Sequence, residues 1–263
     1  MKKLIFLLIT IFSRLKFLLT VNLRFLIIKR LKSFYLKVKR DNIKATFTCG
    51  SFISYSRIKT FGSKENSPLN WIDNFTNKND IVLDIGANIG VISIYSGLKN
   101  LKVYSVESNY NNFYALLKNI ELNNLTNINP FPFTISNKNE KFQNFYYHDL
   151  SEGIGSNSLV KPINKNNNRS YKVQTIRLTN FVEEFSKDIN HIKIDIEDSI
   201  YSILDDLTNI INNKKIKSFH IELSKIDKYM DQNNFLINNF KKNNYKFLKY
   251  SGYETADDYV FYQ

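Results

Sequence analysis

The ten residues Ile81–Gly90, reading IVLDIGANIG, constrain the fold of this chain more than any other stretch. An apolar run passes into Asp84-Ile85-Gly86-Ala87-Asn88-Ile89-Gly90 and then into a helix-like pattern. The whole chain has eight glycines, and two of them stand four residues apart here. Glycine serves where a backbone turns tightly or lets a ligand approach closely. A strand, a glycine loop and a helix N-terminus together cradle a small molecule, because unpaired helix N–H groups point into the turn. Asp84, Gly86, Asn88 and Gly90 are the candidate residues of that cradle.

From Ile81 onward, strand-like and helix-like patterns alternate, which predicts an α/β fold with a mostly parallel sheet. The expected strands are Ile81–Asp84, Lys102–Glu107, Ile128–Thr134, His191–Ile196 and Ser218–Leu223. Asn109–Leu122 reads as a helix, with Asn109 as N-cap and Phe113, Leu117 and Ile120 on one face. Phe181–Phe185 and Ile200–Ile211 are further helices. Residues 137–177 interrupt this rhythm with strand patterns at Phe142–Tyr147 and Tyr171–Leu178, predicting a hairpin-like insertion near the cleft mouth. Tyr245–Tyr250 and Asp258–Tyr262 read as an antiparallel edge pair turned through Gly252. Residues 41–80 form an irregular lead-in, and 81–263 the main domain.

Ligands of an open α/β sheet bind at the carboxyl ends of its strands. Asp84 ends the first expected strand. Glu107 ends the second, 23 residues later and beside Ser108, where a carboxylate can accept both hydroxyls of a ribose. The loop reads Asp-x-Gly-x-x-x-Gly and lacks the extra close glycine that a dinucleotide pyrophosphate needs. It therefore suits a nucleoside cofactor without phosphates, such as S-adenosylmethionine. In His191–Asp198, reading HIKIDIED, alternation places His191, Lys193, Asp195 and Glu197 on one strand face. Charges on an inner parallel strand imply that this face opens into a cleft; the other reading is an edge strand with a solvated face. Asp195 and Glu197 could orient a hydroxyl, act as general base, or hold a divalent cation. Glu222, at the next strand end, faces the same crevice. His220 reads as a structural histidine, and His148 and Lys193 are weaker catalytic candidates still.

The net charge of +13 suggests nucleic acid until it is mapped. Residues 1–40 hold eleven bases and no acids, whereas the remainder holds 26 bases against 24 acids. A nearly neutral main domain argues against a nucleic-acid partner. Residues 1–40 instead read as a basic, apolar helical segment, for peripheral contact with an anionic membrane, for packing on the domain, or as an uncleaved signal anchor. No uncharged run in them reaches the ~20 residues that span a bilayer. The expected location is cytoplasmic, at the inner face of the membrane if that contact forms. One cysteine and three scattered histidines give no basis for a Cys-based zinc cluster or a His-rich metal site. The chain has 36 asparagines, often in runs such as Asn166-Asn167-Asn168, and those runs read as loop markers rather than sites.

Together these motifs resemble the FkbM family of S-adenosylmethionine-dependent methyltransferases. The resemblance runs from Ile81 to Leu223 and rests on Val82–Gly90, on Val103–Asn109 (VYSVESN) and on Leu116–Leu125 (LLKNIELNNL). Thr134–Asn137, His191–Asp198 and Ile221-Glu222 continue it. It implies a Rossmann-like class I methyltransferase fold of seven strands with helices on both faces. It also implies a methionine moiety against Gly86–Gly90, a ribose on Glu107, and methyl transfer to oxygen, often of a sugar in a glycan or glycosylated metabolite. Asp195, Glu197 and Glu222 are then the candidate catalytic residues. The chain departs from the family pattern at Asp198-Ser199, where a glycine usually follows the second acid, and at Thr179-Asn180, where an acid is usual. A nucleic-acid methyltransferase and a non-catalytic cofactor-binding scaffold are the competing readings.

Overall fold

The computed structural model describes residues 34–63, 66–138, 140–155, 157–161, 169–185, 188–213, 215–252 and 255–263. The helical reading of residues 1–40 thus lies outside the described residues up to 33, and it fails for 35–40. There Tyr35, Lys37 and Lys39 face solvent while Leu36 and Val38 turn toward the core, a period of two that makes a strand. Tyr35–Arg40 (β1) pairs with Ile43–Thr48 (β2) across a turn at Asp41. The lead-in then forms two helices. Phe52–Lys59 (α1) starts at a Ser51–Ser54 capping box, and Ser67–Phe75 (α2) starts at Asn66 with Pro68 in its first turn.

Next come Ile81–Ile85 (β3), Val91–Leu98 (α3), Lys102–Val106 (β4), Tyr110–Leu122 (α4) and Ile128–Phe131 (β5). The expected strand Ile128–Thr134 is broken. Pro132 has no N–H for a ladder, and the chain leaves the edge of the sheet there. Thr134–Ile135 (β6) instead joins Phe142–Tyr147 (β7) and Arg169–Ile176 (β8) in a separate three-stranded sheet, where β7 and β8 run antiparallel. Leu178–Phe185 (α5), His191–Ile194 (β9), Leu204–Asn212 (α6), Ser218–Ser224 (β10), Met230–Lys242 (α7), Lys246–Tyr250 (β11) and Ala256–Tyr262 (β12) complete the chain.

The main sheet has seven strands in the order β11-β12-β10-β9-β3-β4-β5. All run parallel except β12, which pairs antiparallel with β10 and β11. Each face is buried by helices. Phe181, Leu207 and Phe240 cover one side against Leu83, Ile192 and Phe219, and Ile58, Trp71 and Ala115 cover the other against Val82 and Val103. This is the Rossmann-like class I methyltransferase architecture. β3 connects onward to β4 on one side, while its other neighbour, β9, arrives much later in the chain. Strand order reverses between them, so the loops after β3 and β9 diverge and leave a crevice at their carboxyl ends.

Two local departures shape that crevice. β9 ends at Ile194, two residues short of the expected end, because Glu197 adopts φ +51 and the chain turns into a short 3-10 segment, Glu197–Ser202. Glu197 therefore does not share a strand face with Lys193. The solvated edge-strand reading also fails, since β9 lies between β3 and β10 with all four residues buried. No helix among the described residues is long and apolar enough to cross a membrane.

Candidate active site

Gly86 and Gly90 have φ of +78° and +87°, and Asn88 between them has φ +53°. A β-carbon on Gly86 would sit 1.9 Å from the Asp195 carbonyl oxygen, and one on Gly90 would sit 2.4 Å from Leu116 Cδ1. Both glycines are thus demanded first by the protein itself. One lets the β3 loop press against the end of β9; the other seats α3 against α4. Gly86 also lines the crevice, whereas Gly90 does not.

Asp84 is fully buried and does not reach the crevice. It accepts a hydrogen bond from Ser93 Oγ at 2.6 Å and lies 3.2 Å from Lys193 Nζ. Lys193 Nζ in turn donates to the Gly86 carbonyl at 3.1 Å and lies 3.5 Å from Asp195 Oδ2. Burial favours the neutral amine, but the charges of Asp84 and Asp195 outweigh it and hold the Lys193 pKa above its ordinary value. Asp84 therefore acts on the crevice through Lys193.

Glu107 lines the crevice at the end of β4, with 7% of its surface exposed. Its Oε2 accepts from the Asn88 backbone N–H and its Oε1 from that of Asn109, both at 2.7 Å. Burial raises its pKa to about 7, against the opposing pull of those two N–H groups. Each carboxylate oxygen has a second acceptor site, so hydroxyls can still bind. Ser108 also lines the crevice. Asn109 caps α4 with its side-chain oxygen, leaving Nδ2 buried without a partner among the described residues, as is Asn157 Oδ1. Both residues line the crevice. An orphaned donor and an orphaned acceptor in one cleft invite a ligand with mixed hydrogen-bonding edges.

Residues 149–155 roof this part of the crevice. Asn88 Nδ2 donates to the carbonyls of Gly153 and Ile154, Asn112 Nδ2 to that of Ile154, and Arg57 Nε to that of Gly153. Ser51 and the Gly50 N–H bind Glu152, tying the roof to the start of α1. Asn88 thus serves the cradle where it was expected, whereas Asn112, from the run Asn111-Asn112, holds the same segment although such runs read as loop markers.

Acids gather at the other end. Asp195 and Glu197 line the crevice; Glu222 does not, but its carboxyl feels both of them. Glu197 keeps one side in solvent, yet protein crowding on its other sides, reinforced by Asp195, pushes its pKa up. Burial and the same neighbours raise Glu222. Asp258 pairs in register with Glu222 across β10 and β12, and burial raises its pKa to about 6. His220 is buried, bound to Ser67 Oγ at 2.9 Å, and burial depresses its pKa to about 3. His191 is held between Asp80 and Ser218, away from the crevice. Among the described residues no group of His, Cys, Asp or Glu suits a metal ion. The sequence reading missed Arg57, Asn109, Asn112, Asn157 and Asp258. Only the N-cap pattern at Asn109 signalled any of them.

A profile of the methyltransferase FkbM domain matches residues 84–247. The chain belongs to the FkbM methyltransferase family. It is an S-adenosylmethionine-dependent methyltransferase. No curated protein sequence matches it. Solved structures similar to this FkbM protein include M. jannaschii TYW2 in complex with AdoMet, at 17% identity and TM-score 0.44 over 88% of each chain. A precorrin-6y C5,15-methyltransferase from Geobacter metallireducens is 9% identical, with TM-score 0.45 over 76% of this chain and 90% of that one. An rRNA methylase from Streptococcus thermophilus is 7% identical, with TM-score 0.47 over 75% of this chain and 94% of that one. The FkbM domain's crevice fits the cofactor chemically. Glu107 can receive ribose hydroxyls, the orphaned Asn109 and Asn157 amides suit a purine edge, and the acids suit a cationic sulfonium.

Proposed function

We propose that the protein methylates a sugar hydroxyl of a glycan or glycosylated metabolite, with its cofactor along Gly86, Asn88, Glu107 and Ser108. The observation that carries this reading is the close junction of the glycine loop with the strand end that bears Asp195 and Glu197. When bound, S-adenosylmethionine supplies an electrophilic methyl carbon on a sulfonium. Glu107 accepts the ribose hydroxyls. Asp195 and Glu197 orient the acceptor hydroxyl for in-line attack, and a carboxylate pair suits the adjacent hydroxyls of a sugar. One of them takes the hydroxyl proton as the new bond forms. Glu222 feels the charge of both acids as a further proton-holding group, and Lys193 anchors Asp195 to the Gly86 turn. The near-neutral charge of residues 41–263 supports a sugar over a nucleic acid. The eight bases of residues 1–33, which hold no acid, support contact with an anionic membrane, where a lipid-linked sugar would be presented.

The test is methyl transfer from radiolabelled S-adenosylmethionine to a glycan extract and, in parallel, to RNA. Label is expected in the glycan, and Glu197→Gln should cut turnover at least tenfold while sparing S-adenosylhomocysteine affinity. Label in RNA alone would overturn the sugar assignment. Cofactor binding without transfer to either pool would favour a scaffold.

A further inference from the structure

We infer that Arg57 receives the α-carboxylate of S-adenosylmethionine, an inference that rests on the cofactor site proposed above. Arg57 is the only cationic side chain among the described residues that line the crevice, a lining it shares with Glu107, Asp195 and Glu197. Its Nε is held by the Gly153 carbonyl, while its Nη groups have no hydrogen-bond partner among the described residues. One Nη lies 2.8 Å from the position that a β-carbon on Gly155 would occupy, and Glu197 Oε1 lies 3.3 Å from the same point. The two side chains therefore converge over Gly155 without closing an ion pair.

The cofactor's charges complement this arrangement. S-adenosylmethionine carries two cationic groups, the sulfonium and the α-ammonium, and a single anion, the α-carboxylate. The acids of the crevice suit the cations. For the anion, only one side chain of opposite charge is present, and a guanidinium matches a carboxylate with two parallel N–H···O bonds. The path is continuous. Glu107 Oε2 binds the Asn88 N–H, Asn88 Nδ2 binds the Gly153 carbonyl, and that carbonyl also binds Arg57 Nε. A nucleoside anchored on Glu107, with its amino-acid tail along Gly86 and Asn88, ends at Arg57. Arg57 belongs to α1, upstream of residues 84–247 that match the family profile. The lead-in would thereby complete a site whose other parts lie within the profile.

Calorimetric titration with two ligands tests this. S-adenosylhomocysteine carries the α-carboxylate; 5′-methylthioadenosine keeps the nucleoside and thioether but lacks it. Arg57→Gln should weaken S-adenosylhomocysteine roughly tenfold to a hundredfold while leaving 5′-methylthioadenosine within about threefold. Arg57→Lys, which keeps the charge, should recover part of the loss. Equal weakening of both ligands would overturn the inference, since Arg57 would then act only by holding the roof at Gly153. No weakening of either would also overturn it and would turn the guanidinium toward the acceptor. Glu107→Gln is the reference. If it weakens both ligands, the cofactor site stands whatever Arg57 does; if it weakens neither, the site fails, and the inference with it.

Discussion

The ribose contact proposed for the buried Glu107 predicts a cofactor affinity that depends on pH near neutrality. Its pKa stands at about 7 because burial disfavours the charged form more than the Asn88 and Asn109 N–H groups favour it. A ribose hydroxyl donates to an ionised carboxylate better than to a neutral acid, so binding selects the ionised form. With a pKa of about 7, roughly one molecule in ten is ionised at pH 6 and about nine in ten at pH 8. S-adenosylhomocysteine should therefore bind up to about tenfold more tightly at pH 8 than at pH 6, close to 1.4 kcal/mol. The same linkage requires proton release. At pH 7 up to about half a proton leaves per ligand bound, and calorimetry in two buffers of different ionisation enthalpy measures it. Glu107→Gln should flatten the profile and abolish the release. A flat wild-type profile, affinity that falls as pH rises, or proton uptake would refute the assignment of Glu107 to the ribose.

Gly86→Ala combines a left-handed φ with a β-carbon 1.9 Å from the Asp195 carbonyl, so the β3 loop and the end of β9 must separate. Denaturant unfolding should show a loss of more than about 2 kcal/mol, and an unchanged midpoint would contradict the packing described here. At the opposite end of the sheet, Asp80 is buried, but its hydrogen bonds to Lys217 and His191 overcome that burial and hold its pKa at about 2. A depressed carboxylate stabilises the fold above its ordinary pKa, and that contribution disappears as pH falls from about 4 through 2. Asp80→Asn should cost about 1–2 kcal/mol at pH 7, allowing for the solvent exposure of Lys217, and nothing below pH 2; a pH-independent loss would exclude this origin.

Much of the scaffold was legible because its signals are local. β3, β4, β9 and β10 are short strands built on Ile, Val and Leu with an acid within two residues of the carboxyl end, and that is what places Glu107 and Asp195 at the crevice. Local signals also misled. The alternation of HIKIDIED continues three residues past the strand, to Glu197, because side-chain pattern does not report the backbone turn there. The expected strand Ile128–Thr134 runs through Pro132, whose missing N–H marks the point where the chain leaves the sheet. Other parts of the site had no local signal. Arg57 arrives from a lead-in helix, and Asp258 arrives from the last strand through its register opposite Glu222. Asn112 and Asn157 look like any other asparagines in a chain with 36 of them.

Those asparagines bear on the unfolded chain as well as on the site. Among the described residues seven non-glycine residues have positive φ, and five of them are asparagines: Asn79, Asn88, Asn100, Asn124 and Asn244. Asparagine enters the left-handed region at modest cost, whereas glycine there would leave the unfolded backbone far freer. Each of these turns therefore surrenders less conformational entropy on folding than a glycine turn would. At Gly86 and Gly90 a β-carbon would strike the protein itself, and there the chain keeps glycine and bears the larger entropic loss. Part of this domain's stability is thus set before it folds, by how little freedom its turns have to lose.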